Sequence, residues 1–73
     1  MNIKTNKKDT FYKMLMSAGI SSIQARYTAS KLETKVSSID SIVKKDNSYI
    51  VNDLYKITPL AVDCPATIIE LIH

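Results

Sequence analysis

The stretch Thr10-Phe-Tyr-Lys-Met-Leu-Met-Ser-Ala18, Gly19-Ile20-Ser21, Ser22-Ile-Gln-Ala-Arg-Tyr-Thr-Ala-Ser-Lys-Leu-Glu-Thr-Lys35 decides the fold. Its first segment sets Phe11, Met14, Leu15 and Ala18 at i, i+3, i+4 and i+7, one apolar stripe of a helix. Asp9 or Thr10 can cap that helix. Gly19 is the only glycine in the chain. It falls where the backbone must leave one helix through a left-handed residue before entering another. Ser21 or Ser22 can cap the second helix, along which Ala25, Ala29, Leu32 and Val36 share a narrow arc at about 100° per residue. The two alanines allow close approach of the helices. The spacing predicts a helix, a tight turn and a second helix over residues 22–35.

The opposite arc of the second helix holds Ile23, Tyr27, Ser30, Lys31 and Thr34, flanked by Gln24 and Arg26. An outward face that mixes an aromatic ring, an amide, small hydroxyls and cations suits base edges and phosphates.

Outward from this pair the pattern changes. Residues 37–51 carry β-branched Ile39, Ile42, Val43, Ile50 and Val51, and Asp46-Asn47 can form a tight hairpin turn with Lys44 and Lys45 at its tip. Ile39, Ile42 and Val43 also fit helical spacing, so a third helix over residues 37–45 competes with the hairpin. Asn52-Asp53 reads as a second turn, or Asn52 as the cap of a short helix over residues 53–57 that Thr58-Pro59 would end. Pro65 is placed to open a last short helix with Ile68, Ile69 and Ile72 on one stripe and Leu71 beside it. The expected organisation is a flexible basic arm over residues 1–8, a helical unit with a hairpin over residues 9–58, and a C-terminal packing segment over residues 59–73. The fold class expected is mainly α with a small β-hairpin.

Seventy-three residues form one small domain, which buries only about 60% of the surface its unfolded chain exposes. The single cysteine, Cys64, cannot form an internal disulfide, and with one histidine, His73, no metal cluster is expected. Self-association is then the remaining support for so small a core. Ile68, Ile69, Leu71 and Ile72 are the residues expected to mediate it as a homodimer. A lone cysteine, a polar start and no apolar run near twenty residues lead to the expectation of a cytoplasmic protein with no membrane contact. The net charge of +3 is unevenly placed. Residues 1–45 hold nine cations against three carboxylates, and residues 46–73 one cation against four. Such asymmetry fits a polyanion-facing surface beside a surface of another kind.

The order of helix, glycine turn, helix, basic hairpin and the run Tyr49-Ile-Val-Asn-Asp-Leu-Tyr-Lys-Ile57 resembles the small winged helix-turn-helix proteins. Phage excisionases and related mobile-element regulators are similar in size and order. Ile23-Gln-Ala-Arg-Tyr27 followed by Leu32-Glu33 resembles the recognition helix of small fimbrial transcription regulators. The resemblance covers residues 10–57. It implies a small sequence-specific regulator of a phage or other mobile element that binds double-stranded DNA and sets the 22–35 helix in the major groove. Gln24 would then read adenine, and Arg26 guanine or a phosphate. Ser22, Tyr27, Ser30 and Lys31 would contact the sugar-phosphate backbone, with Lys44 and Lys45 reaching it from the wing.

Catalytic readings find little footing. One glycine cannot build a phosphate loop, paired acid–base groups are missing, and Cys64 between Asp63 and Pro65 has no adjacent cation to activate it, so an inert buried thiol is expected. No cofactor is implied. The competing function is a small non-enzymatic inhibitor or antirepressor of phage type that grips a protein partner through apolar helix faces, Ile23 and Tyr27 among them.

Overall fold

The computed structural model describes residues 7–61 and 63–72. Helix α1 runs Lys7–Ala18 and helix α2 Ser22–Leu32. Strands β1 (Ile42–Lys45), β2 (Ser48–Val51), β3 (Tyr55–Pro59) and β4 (Thr67–Leu71) follow. They form one antiparallel sheet in the order β1-β2-β3-β4, a meander in which each strand pairs with the next. The chain is therefore mixed α/β, not mainly α. The hairpin expected at Asp46-Asn47 is present, with Lys45 opposite Ser48, but it is half of a four-stranded sheet.

The two helices follow the predicted stripes. Phe11 and Leu15 of α1 are buried, as are Ala25, Ala29 and Leu32 of α2, with Met14, Ala18 and Val36 packed against them. α1 begins at Lys7, so Lys7 and Lys8 belong to the helix and not to an arm, and Asp9 and Thr10, expected to cap it, lie within its first turn; residues 1–6 of that arm, Val62 and His73 lie outside the described residues. At the other end of α1, the Gly19 N–H donates to the Met16 carbonyl at 3.0 Å and the Ile20 N–H to the Leu15 carbonyl at 3.1 Å. Gly19 has φ +116°. These two bonds are the pattern of a Schellman motif, and buried Leu15 and Ile20 supply its apolar contact. Ser21 then caps α2 with φ −61° and ψ 155°, its hydroxyl accepting from the Gln24 N–H. The regular helix ends at Leu32, with residues 33–35 continuing as turns.

The short helix that competed with a turn over residues 53–57 and the helix expected after Pro65 are both strands. The turn at Asn52-Asp53 is formed, with both residues at positive φ, 56° and 53°. That reverses the chain and sets Tyr55 opposite Val51. Asn52 is held there by its side chain. Its Oδ1 accepts from the N–H groups of Asp40 and Ser41, and its Nδ2 donates to the Ser38 carbonyl. The segment after Pro65 pairs with β3 as β4, with Ile57 opposite Ile69. Its Ile-Ile-x-Leu-Ile content fits the i, i+3, i+4 stripe in a helix and also has the β-branched bias of a strand, and the open edge of β3 settles the choice.

The register divides the sheet into two faces. Ile42, Tyr49, Val51, Tyr55, Ile57 and Ile69 point to the helix layer and complete the core with Ile20 and Ile39. Val43, Lys45, Ser48, Ile50, Lys56, Thr58, Ile68 and Glu70 alternate onto the other face. α1 rests over β1 and α2 over β4.

Candidate nucleic-acid interface

Charge is segregated by layer. The two helices carry five cations against the single carboxylate of Asp9, and residues 36–72 carry three cations against five carboxylates. α2 holds no acidic residue at all. The basic surface is thus the helix layer.

On α2, Ser22, Ile23, Arg26, Ser30 and Lys31 are exposed and Tyr27 is half-buried. Ile23 is 61% exposed. The Arg26 guanidinium sits over the Tyr12 ring of α1, 5.1 Å from its centroid, and the Lys31 ammonium over the Tyr27 ring at 5.4 Å. Such stacking contributes about 0.5–1 kcal/mol at an exposed site and limits the wandering of a long side chain. Among the described residues neither cation has a carboxylate partner. Both remain available to an external anion. The Lys31–Tyr27 pair is an i, i+4 contact along one helix and was readable from spacing. The Arg26–Tyr12 pair joins two helices, and Tyr12 went unnoticed in the sequence because it lies off the apolar stripe.

Gln24 is not a base reader. It is only 6% exposed. Its side-chain amide nitrogen donates to the carbonyls of Leu60 (3.2 Å), Ala61 (3.4 Å) and Cys64 (3.1 Å), and its Oε1 accepts from the Ser21 hydroxyl at 3.1 Å. Three carbonyls facing one atom fix the amide orientation, since only the nitrogen can donate. Gln24 clamps the β3–β4 connection onto α2. Its position beside the buried arc, between the two faces, made either role compatible with the sequence. Cys64 is half-buried, and its part in this clamp is through its carbonyl.

The two hairpin lysines separate. Strand alternation sends Lys44 to the helix side, where its ammonium lies 5.9 Å from the Tyr49 ring centroid, and Lys45 to the opposite face. They do not act together as a wing tip. At the C-terminus, Ile69 packs inward against the core, whereas Ile68, Leu71 and Ile72 are exposed, Leu71 by 60%. Ile68 and Leu71 alternate onto opposite faces of the sheet, so the four do not form one contact surface. No helix among the described residues is long and apolar enough to cross a membrane.

Compared with known proteins, the chain matches no family model, no curated protein and no solved structure.

Proposed function

We propose that this chain is a small sequence-specific DNA-binding regulator that lays the outward face of α2 into the major groove. One observation carries the reading: Arg26 and Lys31 project from a helix without acidic residues, each set on an aromatic ring and neither neutralised by a described carboxylate. A guanidinium so placed can take guanine O6 and N7, or a phosphate, while Tyr27, Ser30 and Lys31 take sugar and phosphate. Lys44, on the helix side of the sheet against the Tyr49 ring, is proposed as the hairpin contact to the duplex. A phage or other mobile element is the setting in which such a regulator is proposed to work.

The test is binding of the full chain to duplex DNA at two salt concentrations, beside the Arg26→Ala variant. Affinity that falls steeply with salt and drops by roughly 1–3 kcal/mol in the variant supports the reading. Affinity insensitive to both overturns it.

A second reading has its own observation. β4 is an edge strand with exposed Leu71 on one face and Ile68 on the other, Ile72 following, and no lysine or proline within it. The other edge, β1, carries Lys44 and Lys45, residues that discourage strand addition. β4 therefore favours pairing with a strand of another chain, a second copy making a homodimer being the simplest. Sedimentation of the full chain at high micromolar concentration distinguishes a dimer from a monomer that needs a different protein partner.

A further inference from the structure

The sheet has helices on one side only. α1 and α2 pack on the face that holds Tyr49, Val51 and Ile57, and neither covers the other face. That outer face lacks the polar cover of an ordinary solvated sheet face. Val43 is 53% exposed, Ile68 46% and Ile72 39%, and Ile50 is half-buried. Val43, Ile50 and Ile72 line one open cavity of about 420 Å³ together with Lys45 and Asp53.

The register orders these side chains in rows across the strands. The middle row is Val43, Ile50, Lys56 and Glu70, apolar on β1 and β2 and of opposite charge on β3 and β4. Toward one end of the strands stand Lys45 on β1 and Ile68 on β4; at the other end Ile72 follows β4 and Asp53 lies in the β2–β3 turn. A two-fold axis laid along the middle row keeps each strand over its own copy and exchanges the two ends. Val43 and Ile50 then meet their own copies, apolar on apolar. Ile68 meets Ile72, Lys45 comes toward Asp53, and Lys56 reaches Glu70 on the neighbouring strand. An axis along the strands would instead set Val43 against Glu70 and Ile50 against Lys56, desolvating charge against apolar groups. Packed sheets lie about 10 Å apart with strands within roughly 30° of each other, a separation these side chains span.

Charge selects the occupant. The helix layer carries five cations against one carboxylate, so two copies repel one another there. On the outer face Lys45 and Lys56 are interspersed with Asp46, Asp53 and Glu70. A face of mixed sign attracts neither a polyanion nor a polycation, and under the two-fold axis its charges complement themselves.

We infer that the outer face of the sheet is a self-association surface, on which a second copy of this chain docks sheet to sheet about a two-fold axis along Val43, Ile50, Lys56 and Glu70. This differs from strand addition at the β4 edge, which uses backbone groups. It leaves the basic helix layer of both copies uncovered and does not depend on the DNA-binding reading.

Sedimentation velocity of the full chain at high micromolar concentration, without DNA, tests it. Val43 and Ile68 are exposed enough to accept a charge in the folded monomer, which far-UV circular dichroism checks. Expected are a wild-type dimer, its loss in Val43→Glu and in Val43→Lys separately, and its return when those two variants are mixed, because residue 43 faces its own copy. Ile68→Glu should also dissociate the dimer, and adding Ile72→Lys to the same chain should restore it. Leu71→Lys, on the other face, should leave the dimer intact. A monomeric wild type overturns the proposal and leaves the face to a different partner. A dimer that survives both Val43 variants overturns it, as do Val43 variants that stay monomeric when mixed. Duplex binding by a monomer keeps the DNA reading and overturns this surface; a dimer of the expected behaviour that binds no duplex does the reverse.

Discussion

The hydroxyls of Thr28 and Thr67 lie 2.7 Å apart in the core, one on α2 and one on β4, thirty-nine residues apart in sequence. Thr28 Oγ1 also donates to the Gln24 carbonyl at 2.7 Å. Its single proton is thereby spent, so Thr67 must be the donor between them. The result is a directed chain from Thr67 through Thr28 to the α2 backbone. It runs beside the Gln24 clamp on the β3–β4 connection, and the two together fasten β4 beneath α2.

Thr28→Val should destabilise the domain by about 1–3 kcal/mol, because the Thr67 hydroxyl is left buried without its acceptor. Thr67→Val should cost less, since Thr28 keeps its bond to Gln24. The double variant should cost less than the sum of the two. Urea unfolding of all four proteins measures the coupling, and strict additivity would show that the hydroxyls do not act as a pair.

Gln24→Leu should lower stability by roughly 1–3 kcal/mol, because three backbone carbonyls lose one shared donor. It should leave DNA affinity at a temperature well below unfolding nearly unchanged. Comparison with Arg26→Ala, for which the reverse is expected, tells a clamp from a contact residue. A large loss of affinity in a stably folded Gln24 variant would contradict its assignment as a clamp.

Gly19→Ala places a β-carbon at φ +116° and 3.2 Å from the Tyr49 hydroxyl. Both backbone strain and crowding oppose it, and a loss of on the order of 1–3 kcal/mol is expected. Thermal unfolding measures this. Combining Gly19→Ala with Tyr49→Phe should recover the part due to crowding and none of the part due to φ.

Lys44→Ala should weaken binding to a duplex and reduce its salt dependence by about one phosphate contact, whereas Lys45→Ala on the opposite face of the sheet should do little. Affinities measured over a salt series separate the two. Equal effects would mean that the duplex meets the hairpin end-on and not from the helix side.

Leu71→Lys should leave the fold intact, since Leu71 is 60% exposed, but should abolish self-association if β4 pairs with a second copy. Sedimentation velocity at matched concentrations reads this directly. A dimer that survives the substitution uses another surface.

Local physics sufficed for the apolar stripe of α1, its glycine stop, the Ser21 cap and the buried stripe of α2, because each depends on residues within about five positions of one another, but not for the start of α1, which lies at Lys7. The Asp46-Asn47 turn was legible for the same reason. Residues 53–57 were left between a turn and a short helix, and residues 65–72 read as a helix. Their apolar spacing fits helix and strand alike, and pairing with β2 and β3 decided for strand. The candidate interface divides along the same line. Arg26 and Lys31 could be placed outward from helical periodicity, but Gln24 stood between the two arcs until the β3–β4 connection gave its amide three carbonyls to bind. Tyr12 under Arg26, and Tyr49 beside Gly19, bring together residues from separate elements. The sequence by itself determined where the chain bends and which helix faces are apolar; only the tertiary structure decided which polar side chains are consumed in holding the layers together and which are left for a partner. The physical reason is that a buried polar group must be satisfied, and its partner here lies some forty residues away.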